Sequence, residues 1–537
     1  MAGVTTQETP TRPTLALRGR IVTMNDQSDV LDDGIVYIAS GRIQAVLPSD
    51  APSPAGFEGV AVTQTDGSIF PGLIELHNHL SYNVLRLWQV PKRYTNRDTW
   101  AGIPAYRQLI SGPMGIIGRT PRLVPALVRY VECKCLLGGV TTSQGIALYS
   151  DAGIRHFYKG LVRNVEQTDD DSLPRAQGRI PDVQATNREA FWTEVGKAHT
   201  LILHLSEGTD DRARKHFLDL ELNDVAPAVA TKFVGIHCVA LEEEDIHLFA
   251  GKGCSMVWSP FSNLLLYGQT AKIAAFKAAG VRISLGSDWS PSGSKNLLGE
   301  LKIARLYSDN APGGPIFTTR ELVSLATRNP AEILGWQNEL GTIEAGKRAD
   351  LLVVDGATPD PYQALLEATE QQVALVVIDG VPRVGRAPLM LAADGLEEIT
   401  VGGESRLLNL ADPDSDPDVS KLTLAAAGHA LSEALANLPT LATQPPSEAL
   451  AGISAGPHAT WMLALDEVED TNYLMRLPLP GEPLAPPEES VAALPLVPVD
   501  LDPLTAIDDP KFAETVATEQ NLPDYLTKLP AAPSELG

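Results

Sequence analysis

Two histidines one residue apart, His77 and His79, close an apolar run that begins at Pro71. Residues i and i+2 of a β-strand share one face, so we expect both imidazoles to point the same way from a strand end. Converging imidazoles suit a borderline-soft divalent metal such as zinc. Because the same spacing also arises by accident of composition, the hypothesis needs further ligands elsewhere in the chain.

Three more polar residues occupy comparable positions. His204, His237 and Asp288 each stand at or just after the end of an apolar, strand-like run. Taken singly, either histidine could be a hydrogen-bonded core residue, and Asp288 could cap a helix. If the runs are strands of one barrel, however, their C-terminal ends meet at a single mouth. Side chains far apart in the sequence then become neighbours.

Residues 71–340 show the alternation that such a barrel requires. Strand-like runs and amphipathic segments follow one another, the strands at 139–143, 200–205, 232–237, 254–258 and 281–288, and the helices at 123–137, 188–198, 242–252 and 269–279. Repeated βα units predict a parallel sheet, and a segment of about 270 residues suits an eight-stranded barrel. We therefore predict an α/β fold centred on a TIM-like (β/α)8 barrel.

The flanks of the barrel have a different pattern. Residues 1–70 and 341–410 contain short β-branched runs separated by turn residues, so we predict one small β-sandwich domain formed from both flanks. Residues 411–537 form an acidic, proline-rich extension with one helix-like run at 422–438. This extension is expected either to wrap over the barrel or to be loosely ordered.

Composition excludes several classes of function. The 537 residues carry a formal net charge of −25, which argues against nucleic-acid binding because that requires a basic face. No apolar run reaches the roughly 20 residues that cross a bilayer, and no leader pattern precedes Pro13, so we expect a cytoplasmic protein without membrane contact. Four cysteines make no disulfide framework. Cys133 and Cys135 could be half of a metal site, but buried thiols are the simpler interpretation.

The candidate ligands belong to an ordered series of motifs. The series runs through 71–74, 77–79, 138–142, 204–207, 235–238, 259–264, 285–288, 326–331 and 341–350. In this order the motifs resemble the amidohydrolase superfamily, specifically the aminohydrolase branch with triazine chlorohydrolases and with methylthioadenosine/S-adenosylhomocysteine, guanine and cytosine deaminases. The likeness covers roughly residues 14–395.

The resemblance implies a role for each residue of the cluster. Three imidazoles and one carboxylate would hold one divalent metal, zinc with iron as the alternative, and the predicted ligands are His77, His79, His204 and Asp288. The metal lowers the pKa of a water molecule, which makes it a nucleophile near neutral pH. Glu207 would carry a proton from this water to the leaving nitrogen, and His237 would stabilise the charge that develops on the attacked group.

Two features depart from the family pattern. Trp258 stands where many relatives have a histidine, so it is either an aromatic wall for the substrate or a packed core residue. An aromatic-rich insert follows His79, and its Tyr82 and Trp88 are candidate substrate-binding residues. Lys197 and Lys232 precede their strands and are not placed to bridge two metals, which favours a single metal.

The predicted activity is hydrolysis of a carbon–nitrogen bond other than a peptide bond, by attack on a heterocycle or amide carbon of a small molecule. Hydrolytic dehalogenation by the same branch is one alternative, and a catalytically silent scaffold is another. By analogy with relatives, a homo-oligomer is expected.

Overall fold

The computed structural model describes residues 12–150, 155–179, 188–356, 358–393, 395–443, 461–465 and 495–527. Its strands, in chain order, are β1 (Leu15–Val22), β2 (Val30–Ala39), β3 (Arg42–Pro48), β4 (Val62–Pro71), β5 (Leu73–Ile74), β6 (Val140–Ser143), β7 (Ala147–Ser150), β8 (Arg155–Phe157), β9 (Arg163–Asn164), β10 (Ala176–Arg179), β11 (Thr200–Leu205), β12 (Phe233–His237), β13 (Ser255–Trp258), β14 (Arg282–Leu285), β15 (Leu351–Val354), β16 (Val373–Ile378), β17 (Val381–Gly385), β18 (Glu397–Val401), β19 (Glu404–Leu408) and β20 (Trp461–Leu463).

The helices surround these strands. They are α1 (Pro104–Tyr106), α2 (Gly112–Gly118), α3 (Val124–Leu137), α4 (Arg188–Lys197), α5 (Asp211–Leu218), α6 (Pro227–Ala230), α7 (Glu243–Gly251), α8 (Pro260–Tyr267), α9 (Ile273–Ala278), α10 (Leu297–Asp309), α11 (Thr319–Ser324), α12 (Arg328–Ile333), α13 (Pro361–Glu367), α14 (Pro417–Ser420), α15 (Leu424–Ala436), α16 (Leu438–Leu441), α17 (Pro510–Thr518) and α18 (Asp524–Thr527). None of these helices combines the length and the apolar character that a bilayer crossing requires.

The barrel is made of two parallel ladders. In the described part of the chain, β5, β6 and β9 form one ladder and β10 to β14 form the other, which gives the eight strands of the predicted barrel. The ladders are joined on one side by the Ala176 N–H, which donates to the Val165 carbonyl at 2.9 Å. On the other side an isolated bridge pairs Asn78 with Asp288. The predicted (β/α)8 architecture is confirmed.

Strand alternation decides which side chains enter the barrel. Ile202, Val234, Ile236 and Val257 belong to one buried cluster inside it. Their neighbours in sequence pack outward against the helices, because successive residues of a strand point to opposite faces. Trp258 directly follows an inward residue and therefore points outward.

The histidine pair does not lie on a regular strand, which corrects the sequence prediction. β5 ends at Ile74, and His77 and His79 follow it in an irregular segment in which Asn78 forms only the isolated bridge. The side chains nonetheless converge, with ring centroids 4.9 Å apart. The segment is held by the neighbouring strand end, since the His79 N–H donates to the Asp288 carbonyl at 2.6 Å.

The two flanks meet in a single nine-stranded sheet. Its order is β18-β19-β17-β16-β15-β4-β1-β2-β3, so the flanks join where β4 pairs with β15. Leu17, Ile69 and Val353 contribute to a buried cluster that draws on both flanks. Strands from both flanks therefore belong to one sheet, in which β1 pairs antiparallel with β2 and parallel with β4.

The described part of the extension is packed rather than loose. α15 lies along α3, and the buried Arg129 of α3 donates to the carbonyls of Leu422 and Val419 at 3.0 and 2.9 Å. β20 pairs with β7. Residues 495–527 lie against loops that follow the barrel strands. Of the two expectations for the extension, these segments fit the wrapped one.

Packing of α15 can be tested by a cavity-forming substitution. Leu431 is fully buried, so Leu431→Ala should lower the free energy of unfolding by about 2–5 kcal/mol in chemical denaturation. Leu218→Ala, made at a position that is 50% exposed, is the matched control and should change it by less than about 1 kcal/mol. Equal effects of the two substitutions would show that packing of Leu431 adds no stability.

Candidate metal centre

Five side chains from separate parts of the sequence meet at the barrel mouth. The Nε2 atoms of His77 and His79 lie 3.1 and 3.4 Å from Oδ1 of Asp288. The ring centroid of His204 is 4.8 Å from that of His77 and 5.2 Å from that of His237. All five residues are buried. The structure thus brings together the four predicted ligands, with His237 beside them.

Donor atoms in this cluster are spaced closely enough to share an ion. They form two groups, His77 with His79 and Asp288, and His77 with His204 and His237, and within each group the potential ligand atoms lie within 4.8 Å of one another. Nδ1 of His204 is buried and has no hydrogen-bond partner among the described residues. A buried polar atom without a partner is costly, so the donor set fits a bound divalent metal.

The local backbone aims two of these side chains. His204 shares the inward face of β11 with Ile202, as alternation requires. His237 follows the inward Ile236 and would point outward on a regular strand. Its φ of +67° turns the side chain into the mouth, and Asp288 also has a φ of +67°. Such left-handed residues are strained, and they cluster at functional sites.

Electrostatics favour the protonation states that bind a metal. Burial lowers the pKa of His204 well below its usual value, and the neighbouring Arg97 adds to this effect. Burial alone would raise the pKa of Asp288, but His77, His237 and His79 hold it below its usual value. Neutral imidazole and ionised carboxylate are the ligand forms.

A buried carboxylate behind the cluster was missed by the sequence analysis. Glu75 accepts hydrogen bonds from the Ser287 N–H and the Asn78 amide, both at 2.9 Å. Burial raises the pKa of Glu75, and the Ser287 and Asn78 hydrogen bonds counteract part of that rise. Through these two hydrogen bonds Glu75 connects the segment that carries His77 with the turn before Asp288. Its place two residues before His77 was the only signal.

Glu207 lies beside the cluster and is oriented by an aromatic hydroxyl. Tyr267 donates to Oε1 of Glu207 at 2.7 Å and accepts from the Trp100 indole at 2.9 Å. Oε2 of Glu207 is 3.8 Å from Nε2 of His237 and 3.7 Å from the Arg97 guanidinium. Sequence reasoning proposed Glu207 and His237 but not Tyr267, which lies 60 positions away on α8.

His237 is held in one orientation by a chain of hydrogen bonds. The Asn263 amide contacts Nδ1 of His237 at 2.9 Å, and Thr270 donates to the Asn263 oxygen at 3.2 Å. The Trp258 indole in turn donates to Thr270 at 2.8 Å. Because the amide nitrogen donates, Nδ1 accepts, and a neutral His237 carries its proton on Nε2. That nitrogen is the one nearer Glu207.

Trp258 does not line the substrate space, which corrects one of the two interpretations left open for it. Its ring is fully buried on the outer face of the barrel, with centroids 5.6 Å from Tyr307 and 6.2 Å from Phe317. Strand alternation explains the placement. Trp258 is a packed core residue that is linked to His237 through Thr270 and Asn263.

A different aromatic group lines the approach to the cluster, and we call it the aromatic wall: Tyr82, Trp88, Trp100, Tyr106 and Trp289. Trp289 is nearest to the histidines, with its ring centroid 5.5 Å from that of His79. Tyr82 packs on Trp289 at 5.1 Å, and Trp88 reaches it through Tyr106. Trp289 was not predicted, although it directly follows Asp288.

The fold and the cluster describe a barrel hydrolase with a divalent metal, and comparisons agree. A match to the Amidohydrolase family covers residues 187–383. The chain is 31% identical over 404 residues to a 5-methylthioadenosine/S-adenosylhomocysteine deaminase of Dictyoglomus thermophilum, covering 67% of this chain and 92% of that protein. The corresponding enzyme of Symbiobacterium thermophilum is 25% identical, with 67% and 91% covered.

Solved structures share the fold. A mutant of atrazine chlorohydrolase from Arthrobacter aurescens TC1, complexed with zinc and atraton, superposes with a TM-score of 0.55 at 24% identity, covering 71% of this chain and 97% of that one. A zinc-bound adenosine deaminase from Xanthomonas campestris gives 0.50 at 21% identity, covering 72% and 96%. The chain belongs to the amidohydrolase family. It is a hydrolase of carbon–nitrogen bonds other than peptide bonds.

The ligand set can be tested by metal content. His77→Ala and Asp288→Ala should each weaken metal affinity by more than the roughly 10- to 100-fold typical of losing a residue that hydrogen-bonds to a ligand, so each variant should retain less metal than wild type. His247→Ala, an exposed histidine on α7, is the control and should keep the wild-type content. Elemental analysis after dialysis measures all three. Full metal content in Asp288→Ala would remove that residue from the site.

Proposed function

We propose that the chain is a hydrolase with one zinc ion per site that removes an amino group from a flat heteroaromatic substrate. The observation that carries the proposal is the position of Glu207. Its carboxylate is fixed by Tyr267 and lies 3.8 Å from His237, at the edge of a buried His/Asp cluster. A proton carrier beside a metal-binding donor set is the arrangement that hydrolytic deamination needs.

We assign metal binding to His77, His79, His204 and Asp288. A mixed nitrogen and oxygen donor set suits zinc. A single ion is supported because neither of the two lysines considered as a bridge between two metal ions contacts the cluster. Lys197 pairs with Glu194 at 2.6 Å on the exposed face of α4, and Lys232 donates to the Gly196 carbonyl at 2.7 Å.

The bound ion would supply an activated water as the nucleophile. Glu207 then accepts the proton of that water at Oε2 and delivers it to the leaving nitrogen, while Tyr267 keeps Oε1 turned away. His237 presents Nε2–H, because Asn263 occupies Nδ1. From there it donates to the attacked ring and stabilises the negative charge that develops on it.

The aromatic wall supports a flat substrate. Rings of Trp289 and Tyr82 beside His79 offer apolar surface on which a heteroaromatic ring stacks. The two deaminases compared above act, by their names, on 5-methylthioadenosine and S-adenosylhomocysteine, which supports an aminopurine as the first candidate. Atrazine chlorohydrolase has the same fold, so loss of chloride is the competing reaction.

A substrate screen tests this proposal. Purified holoprotein is incubated with methylthioadenosine, S-adenosylhomocysteine, adenosine, guanine, cytosine and amino- or chloro-substituted triazines, and ammonia and chloride are measured separately. Ammonia release from an aminated ring is the expected result. Chloride release alone would favour the dehalogenase, and no turnover of any compound by metal-loaded protein would overturn the proposed substrate class.

The catalytic residues are separable from the ligands by substitution. Glu207→Gln should lower kcat by roughly 10²- to 10⁴-fold while metal content stays at the wild-type value, because a proton carrier is lost and no ligand is. His237→Asn should behave likewise. Glu243→Gln, an exposed glutamate on α7, is the control and should be unaffected.

Metal content distinguishes the alternatives for these two positions. If His237→Asn strips the metal, His237 is a ligand, as the group that it forms with His77 and His204 would permit. If Glu207→Gln turns over substrate at the wild-type rate, Glu207 carries no proton in the reaction.

A further inference from the structure

A buried ion cluster links the extension to the barrel. Asp502 of the extension pairs with Lys134 of α3 at 2.5 Å and with Lys295, in the loop after β14, at 2.6 Å. Lys295 also pairs with Asp509 at 2.5 Å. All four side chains are at most 4% exposed, and we call them the lysine–aspartate cluster. One carboxylate, that of Asp502, is thus shared by two buried ammonium groups.

The cluster continues by hydrogen bonds to the histidine pair. Lys134 donates to the Asn83 carbonyl at 2.7 Å. The Asn83 amide donates to Oδ1 of Asn78 at 2.9 Å. Asn78 lies between His77 and His79. Two hydrogen bonds therefore connect Lys134 with the segment that carries both histidines.

A second branch reaches Asp288. Lys134 donates to the Ser290 hydroxyl at 3.2 Å, and the Ser290 N–H donates to Oδ1 of Asn83 at 2.8 Å. Ser290 follows Asp288 by two residues, and Lys295 lies farther along the same loop. The cluster thus contacts both loops that supply candidate ligands.

The rest of residues 495–527 fastens the same loops. The Asp502 N–H donates to the Val84 carbonyl at 2.9 Å, and Glu519 accepts from the Val90 N–H at 3.1 Å. These contacts hold the insert that contributes Tyr82 and Trp88 to the aromatic wall. Asn521 donates to the Leu265 carbonyl of α8 at 2.8 Å, next to the helix end that bears Tyr267.

From these contacts we propose that Asp502 is a positioning residue of the metal centre, and that residues 495–527 are an integral part of the active site. The proposal rests on the metal-dependent function proposed above. Asp502 does not touch the ligands. It neutralises Lys134 and Lys295, and these lysines hold Asn83, Ser290 and the ligand loops in register. Without Asp502, two buried cations lose their shared partner, and such a loss displaces the groups around them.

A purely structural role predicts a different outcome. If the ion pairs of Asp502 only hold the extension in place, their loss lowers the melting temperature and leaves the metal affinity of the folded protein unchanged. A positioning residue changes metal affinity at temperatures where the protein remains folded, because the ligands lose their relative placement.

The test compares Asp502→Asn with Asp500→Asn in the full chain. Asp500 is a matched control two residues away, with a side chain that is 63% exposed and pairs with the surface Lys511. Zinc affinity is measured by competition with a chelator after circular dichroism has shown native secondary structure. Asp502→Asn should bind zinc roughly 10- to 100-fold more weakly than wild type. Asp500→Asn should stay within about twofold.

A double substitution sharpens the test. Adding Lys134→Met to Asp502→Asn removes the unpaired cation together with its anion, which favours folding. It also removes the hydrogen bonds of Lys134 to Asn83 and Ser290, so zinc affinity should stay below the wild-type value. Folded Asp502→Asn with wild-type zinc affinity would overturn the proposal. If Asp502→Asn does not fold, the double variant takes its place, and wild-type zinc affinity in the folded double variant would overturn the proposal equally.

The outcomes also separate this inference from the function on which it rests. If the wild-type chain binds no zinc, the metal-dependent function fails. If the wild type and Asp500→Asn bind zinc and Asp502→Asn binds it equally well, only the positioning role fails.

Discussion

Burial of several polar donors in one small space is the constraint on which the rest of this structure depends. His77, His79, His204, His237 and Asp288 are all buried at the barrel mouth. Polar groups removed from water cost free energy unless they are paired or bind a ligand. The local chain is shaped to keep them there. Glu75 ties two ligand-bearing segments together, and left-handed backbone at His237 and Asp288 turns those side chains inward.

The surroundings of the cluster give each side chain a fixed orientation. Tyr267 fixes one oxygen of Glu207, and the chain from Trp258 through Thr270 and Asn263 fixes one nitrogen of His237. The lysine–aspartate cluster contacts the loops after β5 and β14. Preorganisation of this kind lets a site act without rearranging its own groups during the reaction.

Much of the fold could be predicted because most barrel strands are apolar runs with clear ends. β6 and β11 to β14 all fall within or very near the predicted runs. β9 and β10 could not be predicted, because Arg163–Asn164 and Ala176–Arg179 carry no apolar pattern and are defined only by their neighbours. Hydrophobic periodicity cannot indicate a strand that is short and polar.

The site was predictable to the extent that chemistry and position coincide. His77, His79, His204 and Asp288 lie at or after strand ends, and the structure brings them together. Trp258 shows the limit of this reasoning. Successive residues of a strand point to opposite faces, so Trp258, which follows the inward Val257, lies on the outer face of the barrel and not at its mouth.

Partners distant in sequence were also missed. Tyr267 and Asp502 lie on a helix and on a proline-rich segment whose local sequence predicts no contact with the barrel mouth. Their contacts with Glu207 and with the buried lysines come from tertiary packing alone.

Anomalous X-ray diffraction from crystals of the purified protein, recorded on both sides of the zinc absorption edge, tests the central claim most directly. The account predicts a single zinc peak per chain, with His77, His79, His204 and Asp288 at about 2.0–2.2 Å and with Glu207 and His237 outside that distance. A peak coordinated by Glu207, a second bridged peak, or no peak at the barrel mouth would contradict it.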